Sequence, residues 1–85
     1  MAEIEIYTSP FCGYCVAAKR LLEKKGVAYR EIDVMMSPAK RKEMSDRSGG
    51  SSTVPQIFVD GEHLGDCTEI MEMDEYGQLD SQLGL

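Results

Sequence analysis

A strand, a helix and a second strand follow one another within about 30 residues, and that run constrains the fold more than any other feature of the chain. Residues 3 to 7 alternate Glu-Ile-Glu-Ile-Tyr, the period of a strand. From Gly13 to Lys25 the apolar positions fall at helical spacing. Lys24-Lys25-Gly26 then closes the helix, with cations at its negative end followed by a glycine stop. Val27 to Val34 contains a second strand, with Tyr29, Ile32 and Val34 as its apolar contacts. A crossover of this kind is right-handed and leaves the two strands parallel.

The rest of the chain adds elements to that unit. Ser37 can cap a helix with Pro38 at its first position, where the missing N–H costs nothing, and this helix runs through Lys40, Met44 and Arg47. Ser48-Gly49-Gly50-Ser51-Ser52 is a short flexible connection. Ile57 to Val59 and Glu62 to Leu64 bracket Asp60-Gly61, a strong hairpin signal. Asp66, with Glu69 three residues on, forms a capping box for a last long helix that ends at Gly77. Cys67, Ile70 and Met71 are expected on one face of it, and Leu79 and Leu83 on a short closing turn or helix that lays two leucines on the core. The expected architecture is an α/β single domain over residues 1–85, a four-stranded mixed sheet with helices on both faces.

Cys12 and Cys15 sit where the first strand gives way to the first helix. A helix start presents unpaired N–H groups and a partial positive charge, which favour the anionic form of a sulfur placed there. Cys15, Ala18 and Leu22 share one helical stripe, and Cys12 falls outside it. Cys12 is therefore expected to be reachable and Cys15 to be packed beneath it. Such a pair suits thiol–disulfide exchange, in which one sulfur attacks and the other releases the mixed disulfide. Val16, on the Cys12 side of the helix, is read as an apolar rim for docking protein disulfides.

Composition narrows the function classes. No apolar run approaches the roughly 18 residues of a membrane span, and the N-terminal acids Glu3 and Glu5 are unlike a secretory leader, so a cytoplasmic protein is expected. Three cysteines, an odd number, favour catalytic or metal-binding use over a disulfide framework. All nine Lys and Arg residues lie at or before Arg47, and eight acids follow it with no Lys or Arg. That asymmetry excludes a nucleic-acid surface, which needs clustered cations.

Three stations, Cys12-Gly13-Tyr14-Cys15, Thr53-Val54-Pro55-Gln56-Ile57-Phe58-Val59 and Gly65-Asp66-Cys67, occur in order and together resemble a glutaredoxin. The similarity spans residues 3 to 80. Thioredoxin itself fits worse, lacking here both Trp before the first cysteine and Gly-Pro between the two. The resemblance implies a thioredoxin-like fold and glutathione-dependent reduction of disulfides and protein–glutathione mixed disulfides. Cys12 would attack as thiolate and Cys15 resolve the adduct; when glutathione attacks a Cys12–glutathione adduct directly, Cys15 is dispensable.

The same resemblance implies a cis Pro55. The residue before a proline is extended, so Val54 of Thr53-Val54-Pro55 can offer its backbone to a peptide-like ligand as an added strand would. The helix start at Cys67-Thr68 is the expected site for one glutathione carboxylate, Arg47 for the other, and Tyr14 packs against the ligand's middle. Ser9 stands where many relatives have lysine, Asp66 where many have glycine, and Gly13 where many have proline.

Partners expected are glutathione and protein disulfides, for a monomer without nucleic acid or membrane. The resemblance also extends to members holding a [2Fe–2S] cluster between two subunits, which makes a Cys12- and glutathione-ligated carrier the alternative. A zinc site using Cys12, Cys15, His63 and Cys67 is the third reading. His63 is otherwise a surface or packing residue. Cys67 is either a small buried apolar residue or a third redox-active thiol, and the methionines are read mostly as core filler.

Overall fold

In the computed structural model, which describes residues 2–85, the chain runs β1 (Ile4–Thr8), α1 (Gly13–Lys24), β2 (Arg30–Asp33), α2 (Pro38–Arg47), β3 (Gln56–Val59), β4 (Glu62–Gly65), α3 (Cys67–Glu75) and α4 (Leu79–Gln82). The strands form one sheet in the order β2-β1-β3-β4. β1 is parallel to β2, with Tyr7 opposite Ile32, and antiparallel to β3, with Ile6 opposite Ile57. β3 and β4 make the hairpin, and its turn residues Asp60 and Gly61 have φ of 51° and 83°. Paired positive φ values match the right-handed twist of the flanking strands, which is why Asp-Gly signals this turn.

Alternation along β1 and β3 divides the core in two. Ile4, Ile6 and Ile57 face Ala18 and Leu22 of α1, Ile70 of α3, and Leu79 and Leu83 at the chain's end. Tyr7 and Phe58 point the other way, toward Val34, just after β2, and Met44 of α2. Helices thus cover both faces of a mixed sheet, which is a thioredoxin-like α/β fold. The helix caps are those legible in the sequence: Ser37 Oγ accepts the Lys40 N–H at 3.2 Å, and Asp66 and Glu69 form the reciprocal capping box.

The methionines depart from expectation. Met44 is buried, but Met35, Met36 and Met71 are exposed, Met73 is half-buried, and Met1 lies outside the described residues. Met35 and Met36 follow β2 in a turn closed by the Met35 N–H on Asp33 Oδ1 at 2.8 Å, so no element carries them inward. Met71 lies on the flank of α3 toward α1, beside Gly13, Tyr14 and Ala17, rather than under the sheet.

A charged network fastens α2 to β1. Arg47 reaches Glu5 at 2.9 Å and donates to the Tyr7 hydroxyl at 2.7 Å, and that hydroxyl donates to Glu43. The guanidinium also stacks 4.2 Å from the Phe58 ring centre. Arg47 holds Glu5 below the ordinary carboxylate value of 4.5, and the Tyr7 hydroxyl does the same for Glu43. Stability linked to a lowered carboxylate is complete above its unfolded value and lost as pH falls through the folded one. The urea midpoint is therefore expected to hold steady from pH 7 to about pH 5 and to fall at lower pH. Glu5→Gln should flatten part of that fall, and an identical acid profile in the variant would remove Glu5 from the account.

Candidate active site

β1 delivers the chain to a tight loop at its carboxyl end. Phe11, fully exposed, takes a left-handed φ of 61°, and this bend swings Cys12 into the N-cap position of α1. Cys12 itself is extended, so its sulfur turns back over the first helical turn. The Cys15 N–H donates to Cys12 Sγ at 3.1 Å, and the Val16 N–H donates to the Cys12 carbonyl at the same distance. An N–H aimed at a sulfur interacts more strongly with the anion than with the thiol. Cys15, with 1% of its surface exposed, lies beneath. All three cysteines are free.

Burial works against the charged form of the two inner thiols. Burial, followed by the neighbouring Cys12 sulfur, pushes Cys15 up to about 12, against smaller opposing contributions from the Ser9 backbone and Lys19. Burial also raises Cys67, with the charges of Asp66 and Cys12 adding to it. Cys67 is packed, with its sulfur 3.9 Å from Met71 Sδ.

Opposite Cys12 stands the loop before β3. The Val54–Pro55 peptide bond is cis, and the Val54 carbonyl oxygen lies 3.9 Å from Cys12 Sγ. A cleft of about 390 Å³ opens there, lined by Tyr14, Thr53, Val54, Pro55, Asp66, Cys67 and Thr68. Its far wall is the start of α3, whose first N–H groups find no acceptor within the helix.

Six of the seven residues named from the sequence for ligand binding converge on this cleft: Tyr14, Thr53, Val54, Pro55, Cys67 and Thr68. Arg47 does not. Its guanidinium is committed to Glu5, Tyr7 and Phe58 on the α2 face of the sheet. Val16 is exposed. Among the described residues no three His, Cys, Asp or Glu side chains converge as metal ligands, and His63 bonds Gln56 instead.

Two supporting residues were not picked out from the sequence. Gln56, 2% exposed, donates to the Thr53 carbonyl at 3.0 Å and is itself 2.6 Å from His63 Nε2, so it braces the cleft's near wall. Its signal was available: a single polar residue opening the apolar run Ile57-Phe58-Val59. Arg41 is the other. It donates to the Ser52 carbonyl at 2.7 Å and so brings a guanidinium beside Thr53.

The β2-β1-β3-β4 sheet, with a cysteine pair at the start of its first helix and a cis-proline facing it, defines a thioredoxin-like dithiol protein. Comparison with known proteins narrows the class. The glutaredoxin family model matches residues 4–64. Glutaredoxin 3 of Escherichia coli strain K12 is 48% identical over 83 residues, covering 98% of this chain and 99% of the relative. A solution structure of glutaredoxin from Brucella melitensis is 42% identical with a TM-score of 0.84, covering all of this chain and 94% of its own. A crystal structure of a buckwheat glutaredoxin–glutathione complex superposes with a TM-score of 0.86 at 28% identity, covering 98% of this chain and 77% of that one. The chain belongs to the glutaredoxin family and is a thiol–disulfide oxidoreductase.

Proposed function

We propose that the protein uses glutathione to reduce protein disulfides and protein–glutathione mixed disulfides, with Cys12 as nucleophile and Cys15 as resolving thiol. The observation that carries this reading is the placing of Cys12 Sγ, under the Cys15 N–H and 3.9 Å from the carbonyl of Val54, a residue that lines a cleft with peptide backbone on one side and a helix start on the other. A tripeptide matches both walls. Val54 offers it backbone bonding beside Thr53 and Pro55, Tyr14 covers its middle, and the N–H groups of Cys67 and Thr68 receive a carboxylate. Arg41, beside Thr53, takes the second carboxylate in place of Arg47.

Cys12 thiolate attacks a substrate disulfide, forming a mixed disulfide and expelling a thiolate. In the two-cysteine route, Cys15 loses its proton to solvent and attacks Cys12 Sγ. The substrate sulfur leaves with the bonding electrons, and a Cys12–Cys15 disulfide remains for two glutathiones to reduce. In the one-cysteine route, Cys12 carries glutathione, and a second glutathione attacks that adduct. Glutathione disulfide departs and the Cys12 thiolate returns. Three free thiols suit a reducing compartment, and we place the protein in the cytoplasm as a monomer.

The test is cosubstrate choice. Turnover of a glutathionylated peptide should saturate with glutathione and be much slower with mercaptoethanol at equal thiolate concentration. Equal rates with the two thiols would show that the cleft recognises no tripeptide.

A further inference from the structure

One hydrogen-bonded chain runs from the surface to the cleft wall and takes no part in the steps above. His63, the only histidine in the sequence, stands exposed on β4 opposite Phe58 of β3, the two ring centres 5.1 Å apart. Just beyond that pair the register shifts, so that Ile57 lies opposite Gly65. A bulge of this kind re-aims the side chains beside it, and His63 Nε2 comes to lie 2.6 Å from Gln56 Oε1. Gln56 in turn donates from Nε2 to the Thr53 carbonyl at 3.0 Å and to Thr53 Oγ1 at 3.4 Å. The preceding carbonyl, that of Ser52, accepts from Arg41 at 2.7 Å. Two consecutive carbonyls ahead of Val54 are therefore tied down, one from α2 and one from the β3–β4 hairpin.

Bonding capacity sets the direction of every bond in the chain. A carbonyl only accepts, so the Gln56 amide must turn its nitrogen to Thr53 and its oxygen to His63. An amide oxygen also only accepts, so His63 must carry a proton on Nε2. Gln56 is 2% exposed, and removing that donor strands a buried oxygen. The amide is then held at one end only, and the Thr53 carbonyl loses its fixed partner. We propose that His63 is a positioning residue for the cleft: its Nε2–H locks the Gln56 amide in the one orientation that donates to Thr53, and so holds in place the Thr53-Val54 backbone on which the tripeptide docks. His63 does not line the cleft itself and acts only through Gln56.

This inference rests on the cleft taking glutathione, so the experiment separates the two. The constant kcat/KM is measured for a peptide joined by a disulfide to glutathione and for the same peptide joined to mercaptoethanol. Their ratio reports what the tripeptide gains from the cleft and cancels losses common to both substrates. A wild-type ratio near one overturns the glutathione reading and this inference with it. Given a large ratio, His63→Phe, which keeps a ring against Phe58, should lower it about fivefold, the worth of one ordinary hydrogen bond. His63→Gln should restore it, because the new amide nitrogen reaches as far along the side chain as Nε2. His63→Asn, which reaches only as far as Nδ1, should not. In a Gln56→Leu background, where the chain is already cut, His63→Phe should lower the ratio no further. Proton–nitrogen correlation spectra of the single histidine in the unaltered protein should show Nε2 protonated. An unmoved ratio in His63→Phe, equal ratios in His63→Gln and His63→Asn, or a ring protonated on Nδ1 alone overturns the role of His63 while leaving the glutathione reading in place.

Discussion

Cys12→Ser reduces turnover in both the protein-disulfide and the glutathione mixed-disulfide assay to background, while Cys15→Ser loses the first and keeps the second to within about threefold, because a glutathione adduct needs no internal resolving thiol. The asymmetry follows from placement. Cys12 sits at the cap of α1 with an N–H on its sulfur, and Cys15 is enclosed, burial pushing its thiol up to about 12. Mass-spectrometric mapping of iodoacetamide labelling at pH 7 checks the same point without mutation. Cys12 should be modified first, with Cys15 and Cys67 untouched in the folded protein. Labelling of Cys15 ahead of Cys12, or a Cys12→Ser variant that keeps the mixed-disulfide activity while Cys15→Ser loses it, would reverse the roles.

The second large effect is expected at a residue that touches no sulfur. Gly65 ends β4 with φ of 148°, and a β-carbon added there would meet Glu69 Cβ at 2.8 Å. Glu69 cannot yield freely, since its carboxylate accepts the Asp66 N–H at 3.1 Å and its own N–H donates to Asp66 at 2.9 Å. Gly65→Ala must therefore push the start of α3 away from the sheet, at a cost of about 1–3 kcal/mol in the urea-unfolding free energy. The N–H groups of Cys67 and Thr68 move with the helix. Losing one charge-assisted bond to the ligand corresponds to a rise of about tenfold in KM for glutathione. A destabilised variant with an unaltered KM would mean that the helix start does not hold the cosubstrate.

Local signals carried most of the fold. The βαβ order, both helix caps, the Asp60-Gly61 turn and the burial of Cys15 each depend on residues within one or two turns of each other, and each stands in the structure where periodicity or capping chemistry put it. Arg47 shows what such signals miss. From its position at the end of α2 it was a free cation near a ligand, but its partner Glu5 is 42 residues away and comes within reach only when α2 lies across the sheet. Met71 was misread for a related reason. Helical spacing groups Cys67, Ile70 and Met71, but the stripe is wide, and only the placing of α1 against α3 decides which edge stays in water. Gln56 stands out as a lone polar residue at the head of an apolar run, but that it holds Thr53, and that Gly65 makes room for Glu69, follows only from the folded chain.

The pieces of the reactive centre come from opposite ends of the sequence: the nucleophile from residue 12, its facing carbonyl from residue 54, and the receiving helix from residues 67 and 68. A polypeptide emerging from the ribosome therefore carries Cys12 well before any cleft exists to receive a ligand. Substrate recognition needs both the pairing of β3 with β1 and the docking of α3. Chains truncated short of α3 lack one wall of the recognition cleft, so the site is complete only when the helix after the sheet has docked.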